Sequence, residues 1–137
     1  MKFWDSSALV TLIVQQPSSG SARAMLEEDP DVVAWWGSQI ECASAIARLH
    51  RDGVLTAEEE EAARNGLAEF RQSWFEVQPG ESLREQALRL LRVHVLRAAD
   101  ALQLAAALEW SGFPAHGALV TFDDRLRDAA RREGFAT

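Results

Sequence analysis

The alternation of short apolar runs with longer helical patterns limits the fold of this chain more than any other sequence feature. Residues 2–4, 31–35, 74–78 and 118–122 have the composition of buried strands, and stretches with helical periodicity follow each of them. Parallel strands need such helical crossovers. The sequence therefore predicts an α/β fold in which a central parallel sheet of four to five strands is flanked by helices, with residues 135–137 as the candidate fifth strand.

The helical patterns between these runs have recognisable ends. Helices are predicted at about 7–15, 19–28, 38–53, 56–74, 83–93, around Asp100 up to about 112, and at 123–134. Two of them open with a capping-box pattern, Ser38 to Glu41 and Thr56 to Glu59. In the second of these helices, apolar residues at 4-3-4 spacing predict one buried stripe, made of Ala63, Leu67, Phe70 and Trp74.

Composition indicates an ordinary globular protein. The 137 residues suit a single domain, 1–137, with 47% hydrophobic and 26% charged residues. No apolar run approaches the ~20 residues that span a bilayer, and residues 1–10 lack a signal-peptide pattern. A single cysteine, Cys42, cannot form an internal disulfide. We therefore expect a cytoplasmic protein that does not act in a membrane.

Charge is unevenly distributed along the chain. The net charge of −7 argues against a protein that coats nucleic acid non-specifically, and the acidic runs at 27–31 and 58–61 are expected to be solvated surface. Residues 82–97, in contrast, carry four arginines and one glutamate. This basic strip is compatible with a phosphate-bearing partner, although a solvated helix face is the commoner explanation of such a strip.

Five acids follow predicted strands or open predicted helices. Asp5 follows the first strand, Asp123 and Asp124 follow the fourth, and Glu41 and Asp100 lie in the first turns of their helices. Ligands of open parallel sheets bind just beyond the carboxyl ends of the strands. We therefore expect these acids to converge at one edge of the sheet.

Each acid also has a purely structural explanation. Glu41 completes a capping box, and Asp123 is a natural N-cap of the last helix, where Asp124 adds favourable charge. Asp5 can simply open a turn, and Asp100 can cap its own helix. Asp100 nevertheless precedes Leu104 and Ala107 by four and seven residues, which puts it on the inward face of that helix. An inward carboxylate without a partner is costly.

The donor chemistry of such a cluster favours a hard divalent cation. Carboxylate oxygens suit Mg²⁺ or Mn²⁺, and the three histidines, His50, His94 and His116, lack the spacing of a zinc site. Acids around such an ion are a common apparatus for phosphodiester hydrolysis. The sequence thus favours a metal-dependent hydrolase.

Four segments resemble PIN-domain ribonucleases, and among these the VapC-like toxins of bacterial toxin–antitoxin pairs. They are residues 3–10, 38–48, 94–108 and 119–135, and they occur in the order of the family. The resemblance implies a PIN-like domain and endonucleolytic cleavage of RNA with Mg²⁺ or Mn²⁺. It also implies a homodimer, and a small cognate antitoxin that brings a basic side chain to the acidic site.

The resemblance assigns roles to individual residues. The acidic quartet is Asp5, Glu41, Asp100 and Asp123. Asp5 and Asp100 are implied as direct metal ligands, Asp123 completes the ligand set directly or through water, and Glu41 orients or deprotonates the attacking water. Asp124 is an additional acid, and the Thr-x-Asp spacing from Thr121 favours Asp123 as the metal-facing one.

Other residues are implied in supporting roles. Ser6 matches the small hydroxyl residue after the first acid, and Thr121 matches the threonine of the Thr-x-Asp pattern. Arg89, Arg92 and Arg97 are candidates for holding RNA phosphates beside the acids.

Competing families fit less well. A receiver domain needs a lysine after a late strand, but the only lysine is Lys2. A haloacid-dehalogenase-like phosphatase needs an acid two residues after the first, where this chain has Ser7. A PIN-like module that only binds RNA or protein, or an RNA-processing nuclease without a toxin role, stays open as an alternative.

Overall fold

Four short strands form one parallel sheet in the computed structural model, which describes all 137 residues. The strands are β1 (Lys2–Trp4), β2 (Val32–Trp35), β3 (Phe75–Val77) and β4 (Leu119–Val120), in the spatial order β3-β2-β1-β4. Every neighbouring pair is parallel, which confirms the predicted α/β architecture. The candidate fifth strand contributes only one parallel bridge, between Ala118 and Ala136.

Seven helices connect and cover the strands. They are α1 (Ser6–Ile13), α2 (Ser19–Glu28), α3 (Ser38–Arg51), α4 (Ala57–Arg71), α5 (Glu81–Val93), α6 (Ala98–Ser111) and α7 (Asp124–Glu133). Their positions agree with the predicted helices to within a few residues at each end. None of the seven combines the length and the apolar character that crossing a membrane requires.

The sheet separates two apolar cores because successive strand residues face opposite sides. Phe3 and Val33 pack on one side with α5, α6 and α7, whereas Trp4 and Val32 pack on the other with α1, α3 and α4. The predicted stripe belongs to the second core: Ala63 and Leu67 of α4 are buried there and Phe70 is partly buried, and Trp74 is also buried there although α4 ends before it, at Arg71. The molecule is therefore a three-layer α/β/α sandwich.

The two predicted capping boxes have different outcomes. At α4 the box is formed, with Thr56 Oγ1 accepting from Glu59 N at 3.1 Å and Glu59 Oε1 accepting from Thr56 N at 3.0 Å. At α3 the prediction is wrong, because Gly37 occupies the N-cap and Ser38 is already the first helical residue. The side chains of Ser38 and Glu41 therefore turn towards other parts of the structure.

The strand order creates a switch point between β1 and β4. The chain leaves β1 towards β2 on one side, while β4 adds to the other side of β1. In open parallel sheets a crevice forms at such a point, beyond the carboxyl ends of the two strands. Strand β4 is shorter than predicted because Thr121 and Phe122 leave the ladder and bond to side chains that follow β1.

Candidate active site

Asp5 lies at the bottom of the crevice beyond β1 and is almost completely buried. It is the N-cap of α1, and its Oδ2 accepts hydrogen bonds from Ser7 N at 3.2 Å, from the Ser7 hydroxyl and from Thr121 Oγ1 at 2.9 Å. Its Oδ1 accepts only a long hydrogen bond, 3.3 Å, from the Ser6 hydroxyl. One carboxylate oxygen is therefore fixed by the fold, and the other faces the crevice.

Glu41 reaches the same crevice from the first turn of α3. Its Oε1 lies 3.3 Å from the Ser6 hydroxyl, and its Oε2 accepts a hydrogen bond of 2.8 Å from Gln103 Nε2. Ser6 therefore stands between the carboxylates of Asp5 and Glu41. The contact with Gln103 links α3 to α6.

Asp100 is the third residue of α6 and does not occupy its N-cap. The N-cap of α6 is Arg97, whose backbone N–H donates to Asp100 Oδ2 at a long 3.4 Å. Asp100 is therefore not the N-cap, and its only capping contact is this long hydrogen bond, accepted from the third helical position. Its half-buried side chain instead lines the crevice with Asp5 and Glu41.

Asp123 and Asp124 take different positions after β4. Asp123 is the N-cap of α7, with its Oδ1 accepting from Leu126 N at 2.9 Å, and it lines the crevice. The Asp124 side chain is 93% exposed and pairs with Arg127. Of the two neighbouring acids, Asp123 thus lies with the other three, as the spacing from Thr121 suggests.

A hollow of about 470 Å³ lies at the β1–β4 switch point, and we call it the acid cleft. The four acids that line it come from four separate segments, and they are Asp5, Glu41, Asp100 and Asp123. No histidine lines it, and Cys42 is buried, where loss of solvation raises the pKa of its thiol to about 12. The cleft therefore offers oxygen donors for its chemistry.

Burial and mutual repulsion make three of the cleft carboxylates, Asp5, Glu41 and Asp100, hard to ionise. Burial raises the pKa of Asp5 although Ser7 and Thr121 donate to it. Burial first, and the charge of Asp5 second, raise the pKa of Glu41 to about 7. Burial also raises the pKa of Asp100, with Asp123 adding repulsion. Such raised pKa values are typical of sites that lack the positive charge they are built to face.

The donor set fits a hard divalent cation in its chemistry. All donors are oxygens, and Asp5 Oδ1 is a buried carboxylate oxygen with a single long hydrogen bond. In this conformation no three acids, histidines or cysteines are grouped closely enough to form a finished ligand cage. A cation would therefore have to draw the side chains of the cleft closer together.

The predicted basic residues are divided by the fold. Arg97 lies beside the acids, in an adjoining hollow that it shares with Asp100, Asp123, Asp124 and Arg125. Arg89 donates to both carboxylate oxygens of Glu133, at 3.2 and 2.7 Å, and lines neither hollow. Arg92 lines neither hollow and is exposed. The structure thus brings only one of the three predicted arginines to the acids.

Sequence reasoning missed two residues that line the cleft, Ser7 and Arg48, and one buried residue that contacts Glu41, Gln103. Ser7 ties Asp5 to the end of β4, since its hydroxyl also accepts from Phe122 N at 2.9 Å. Arg48 lines the cleft from α3, two turns beyond Glu41. Gln103 is the only polar residue in the run 101–108, which is the one signal that could have drawn attention to it.

Fold and site together define a class of protein: a three-layer α/β domain with an acidic cleft at the switch point of a parallel sheet. Sequence comparison identifies the family within that class. Residues 2–132 match the PIN domain family, and this chain belongs to it. The match includes all four acids of the cleft.

Individual relatives agree with this assignment. Ribonuclease VapC45 and Ribonuclease VapC49, from two strains of Mycobacterium tuberculosis, are each 31% identical to this chain over 136 residues. These matches cover 96% of this chain and 90% of each relative.

Solved structures share the fold over the whole chain. VapC20 of Mycobacterium tuberculosis, described as a sarcin–ricin loop cleaving toxin, has a TM-score of 0.73 at 20% identity and covers 99% of this chain and 97% of its own. A toxin–antitoxin complex from Klebsiella pneumoniae has a TM-score of 0.69 at 19% identity, with coverages of 100% and 97%. FitAcB from Neisseria gonorrhoeae has a TM-score of 0.68 at 17% identity, with coverages of 96% and 94%.

Proposed function

We propose that this chain is a divalent-metal-dependent endoribonuclease and the toxin of a toxin–antitoxin pair. The observation that carries the proposal is the convergence of Asp5, Glu41, Asp100 and Asp123 on one cleft of a PIN domain. The relatives that are similar over nearly the whole chain are named ribonucleases, which supports RNA as the substrate.

Three carboxylates would hold Mg²⁺ or Mn²⁺: Asp5, Asp100 and Asp123. Asp5 would bind through Oδ1, the oxygen that the fold leaves facing the cleft. Thr121 and Ser7 would keep Asp5 in place by donating to Oδ2. When bound, the ion supplies positive charge that neutralises the scissile phosphate and makes the attacking water more acidic.

Glu41 would act as the general base. A pKa of about 7 suits proton transfer near neutral pH, and Ser6 and Gln103 orient the two carboxylate oxygens. Glu41 takes a proton from water, the water oxygen bonds to phosphorus, and one phosphorus–oxygen bond of the RNA backbone breaks. The leaving oxygen takes up a proton from solvent. Asp124 lies outside this scheme because it pairs with Arg127 at the surface.

The RNA backbone would cross the acid cleft between basic side chains. Arg48 lies in the cleft itself, and Arg97 and Arg125 lie in the adjoining hollow. An acidic protein that binds a polyanion needs such local positive charge beside its carboxylates. In place of Arg89 and Arg92, we therefore assign phosphate contacts to Arg48, Arg97 and Arg125.

Cleavage of total RNA with and without Mg²⁺ or Mn²⁺, with the new ends mapped, tests the activity. The Asp100→Asn variant should lose cleavage by at least about 10²-fold while keeping its fold, because it loses a cleft carboxylate but only one long hydrogen bond. Asp128→Asn is the matched control, since Asp128 is an exposed acid of α7 outside the cleft. Metal-independent cleavage, or equal cleavage by wild type and Asp100→Asn, would contradict the proposal.

The partners are a cognate antitoxin and a second copy of the chain. Solved relatives of the fold include a toxin–antitoxin complex, which supports the antitoxin. Two surfaces have the apolar character of interfaces: the groove between α1, α2 and α4, and an exposed stripe at Leu88, Leu91 and Val95. We assign the stripe to the homodimer, because the exposed leucines of α5, three residues apart on one helix face and extended by Val95 just after the helix ends, can pack against a second copy of the same surface.

Growth assays test the toxin role separately from the activity. Overproduction of the chain alone should stop growth, and co-expression with the small neighbouring open reading frame should restore it and give a co-purifying complex. A nuclease that is harmless when overproduced would instead be an RNA-processing enzyme. A chain that binds RNA without cutting it would be a binding module.

A further inference from the structure

Gln103 is a fully buried amide in an otherwise apolar part of α6. The other buried residues of this helix are alanine and leucine, namely Ala101, Leu104, Ala105, Ala106, Ala107 and Leu108. A buried amide lowers stability unless its polar atoms are hydrogen-bonded, so an apolar side chain would fill this position at less cost. The partners of Gln103 must therefore explain its presence.

Those partners both lie in the first turn of α3. Gln103 Nε2 donates to Glu41 Oε2 at 2.8 Å and to Ser38 Oγ at 3.1 Å, and the Ser38 hydroxyl lies 3.4 Å from Gln103 Oε1. Ser38 and Glu41 are three residues apart and so share one face of α3. Gln103 is likewise three residues after Asp100 on α6. A single amide thus connects the helix turns that carry two of the cleft acids.

The contact opposes a repulsion inside the cleft. Asp5 and Asp100 both repel a charged Glu41. The only other donor to the Glu41 carboxylate is the Ser6 hydroxyl, at a long 3.3 Å, and that hydroxyl also lies 3.3 Å from Asp5. Without Gln103, a flexible glutamate side chain could relieve the repulsion by rotating towards solvent.

We propose that Gln103 is a positioning residue for the hydrolysis: its amide, anchored on Ser38, holds the Glu41 carboxylate inside the cleft at a fixed place relative to Asp100. Gln103 touches neither RNA nor water in this role and acts only through Glu41. The inference rests on the proposed function, because it assigns to Glu41 the proton transfer described above.

The test is a double-mutant cycle between Gln103 and Glu41. Gln103→Met keeps the length of the side chain and removes the donor. In the holoenzyme with Mg²⁺, kcat should fall by about 10- to 100-fold, the range expected when a reacting group is displaced by about 1 Å. KM for RNA, and RNA affinity measured in EDTA, should stay within about twofold of wild type. In a Glu41→Gln background the same substitution should change kcat by less than about twofold.

Two controls separate positioning from packing. Leu104→Met changes the neighbouring buried residue of α6 without touching a polar contact, and its kcat should match wild type within about twofold. Thermal melts check that each variant is folded. If Gln103→Met does not fold, Gln103→Asn withdraws the amide from Glu41 by one methylene and provides the same measurement.

The outcomes distinguish this inference from the proposed function. An active wild type with an equally active Gln103→Met variant overturns the role of Gln103 alone. A loss that is as large in the Glu41→Gln background as in the wild type also overturns it, because Gln103 would then act by another route. A wild type that cuts no RNA overturns the proposed function, and the role of Gln103 with it.

Discussion

Replacement of Glu41 by glutamine should stabilise the metal-free protein at alkaline pH. Glu41 is partly buried near Asp5, and its pKa is raised from the ordinary 4.5 to about 7. A group whose pKa is raised on folding contributes stability that is complete below the unfolded pKa and is lost as pH rises through the folded one. The metal-free wild type should therefore lose stability between about pH 4.5 and pH 7 through this group.

The size of the effect follows from the two pKa values. Their difference corresponds to about 3 kcal/mol, at roughly 1.4 kcal/mol per pH unit. Because the carboxyl is only partly buried, solvent screening reduces this to about 1–2 kcal/mol. The helix N-terminus of α3 favours a charge at Glu41 by a few tenths of a kcal/mol, which places the expected gain nearer the lower figure.

Thermal melts in EDTA at several pH values measure this gain. At pH 8, Glu41→Gln should melt roughly 3 to 8 °C above wild type, and at pH 4.5 the two proteins should melt within about 2 °C of each other. The glutamine keeps the shape of the side chain and an oxygen that can accept from Gln103, so packing is little changed.

Glu59→Gln is the matched control for this experiment. Glu59→Gln changes another glutamate in the first turn of a helix, but Glu59 is exposed and accepts a hydrogen bond from Thr56 N. This control should lose up to about 0.5 kcal/mol at pH 8. The reasoning fails if Glu41→Gln melts below wild type at pH 8, or if its gain is as large at pH 4.5.

Two further predictions concern the metal and the RNA. In EDTA, Asp100→Asn should melt above wild type because it removes a repelled carboxylate. Millimolar Mg²⁺ or Mn²⁺ should raise the melting temperature of the wild type more than that of the variant. Equal shifts in both proteins would mean that Asp100 is not a metal ligand. Arg48→Gln should weaken RNA binding in EDTA and lower the slope of log affinity against log salt by about 0.7, the value for one phosphate contact with a single strand. Arg51→Gln is the control, because it makes the same change of charge at an exposed position of the same helix outside the cleft, and it should bind RNA with the wild-type salt slope. A wild-type slope for Arg48→Gln would exclude a phosphate contact of Arg48.

The fold was largely predictable because its signals are local. A helix or a strand imposes its own period on the sequence, and parallel strands require helical crossovers, so the layers can be read without knowledge of the tertiary structure. The capping box at Thr56 and Glu59 is equally local, because all its partners lie within four residues. The same pattern at Ser38 and Glu41 predicts a capping box that is not formed. Both side chains bond instead to the buried amide of Gln103, which is 65 residues away from Ser38.

The acids of the cleft were predictable in identity but not in their interactions. Asp5, Glu41, Asp100 and Asp123 stand where strands end or helices begin, and parallel strands bring such positions to one edge. The preference for Asp123 over Asp124 came from the spacing of the family motif. The placement of Asp123 in the cleft depends on the position of the α7 N-terminus relative to β4, which the sequence does not give.

The sequence by itself determined the layers of this protein and the acids it gathers at one edge of the sheet, because periodicity and chain order are properties of a single chain. Only the tertiary structure decided that Arg89 is neutralised by Glu133, that Arg48 lies in the cleft, and that Gln103 holds Glu41. These contacts join segments far apart in sequence, and they depend on strand order and side-chain rotamers. Neither the strand order nor the rotamers can be predicted from a local pattern in the sequence.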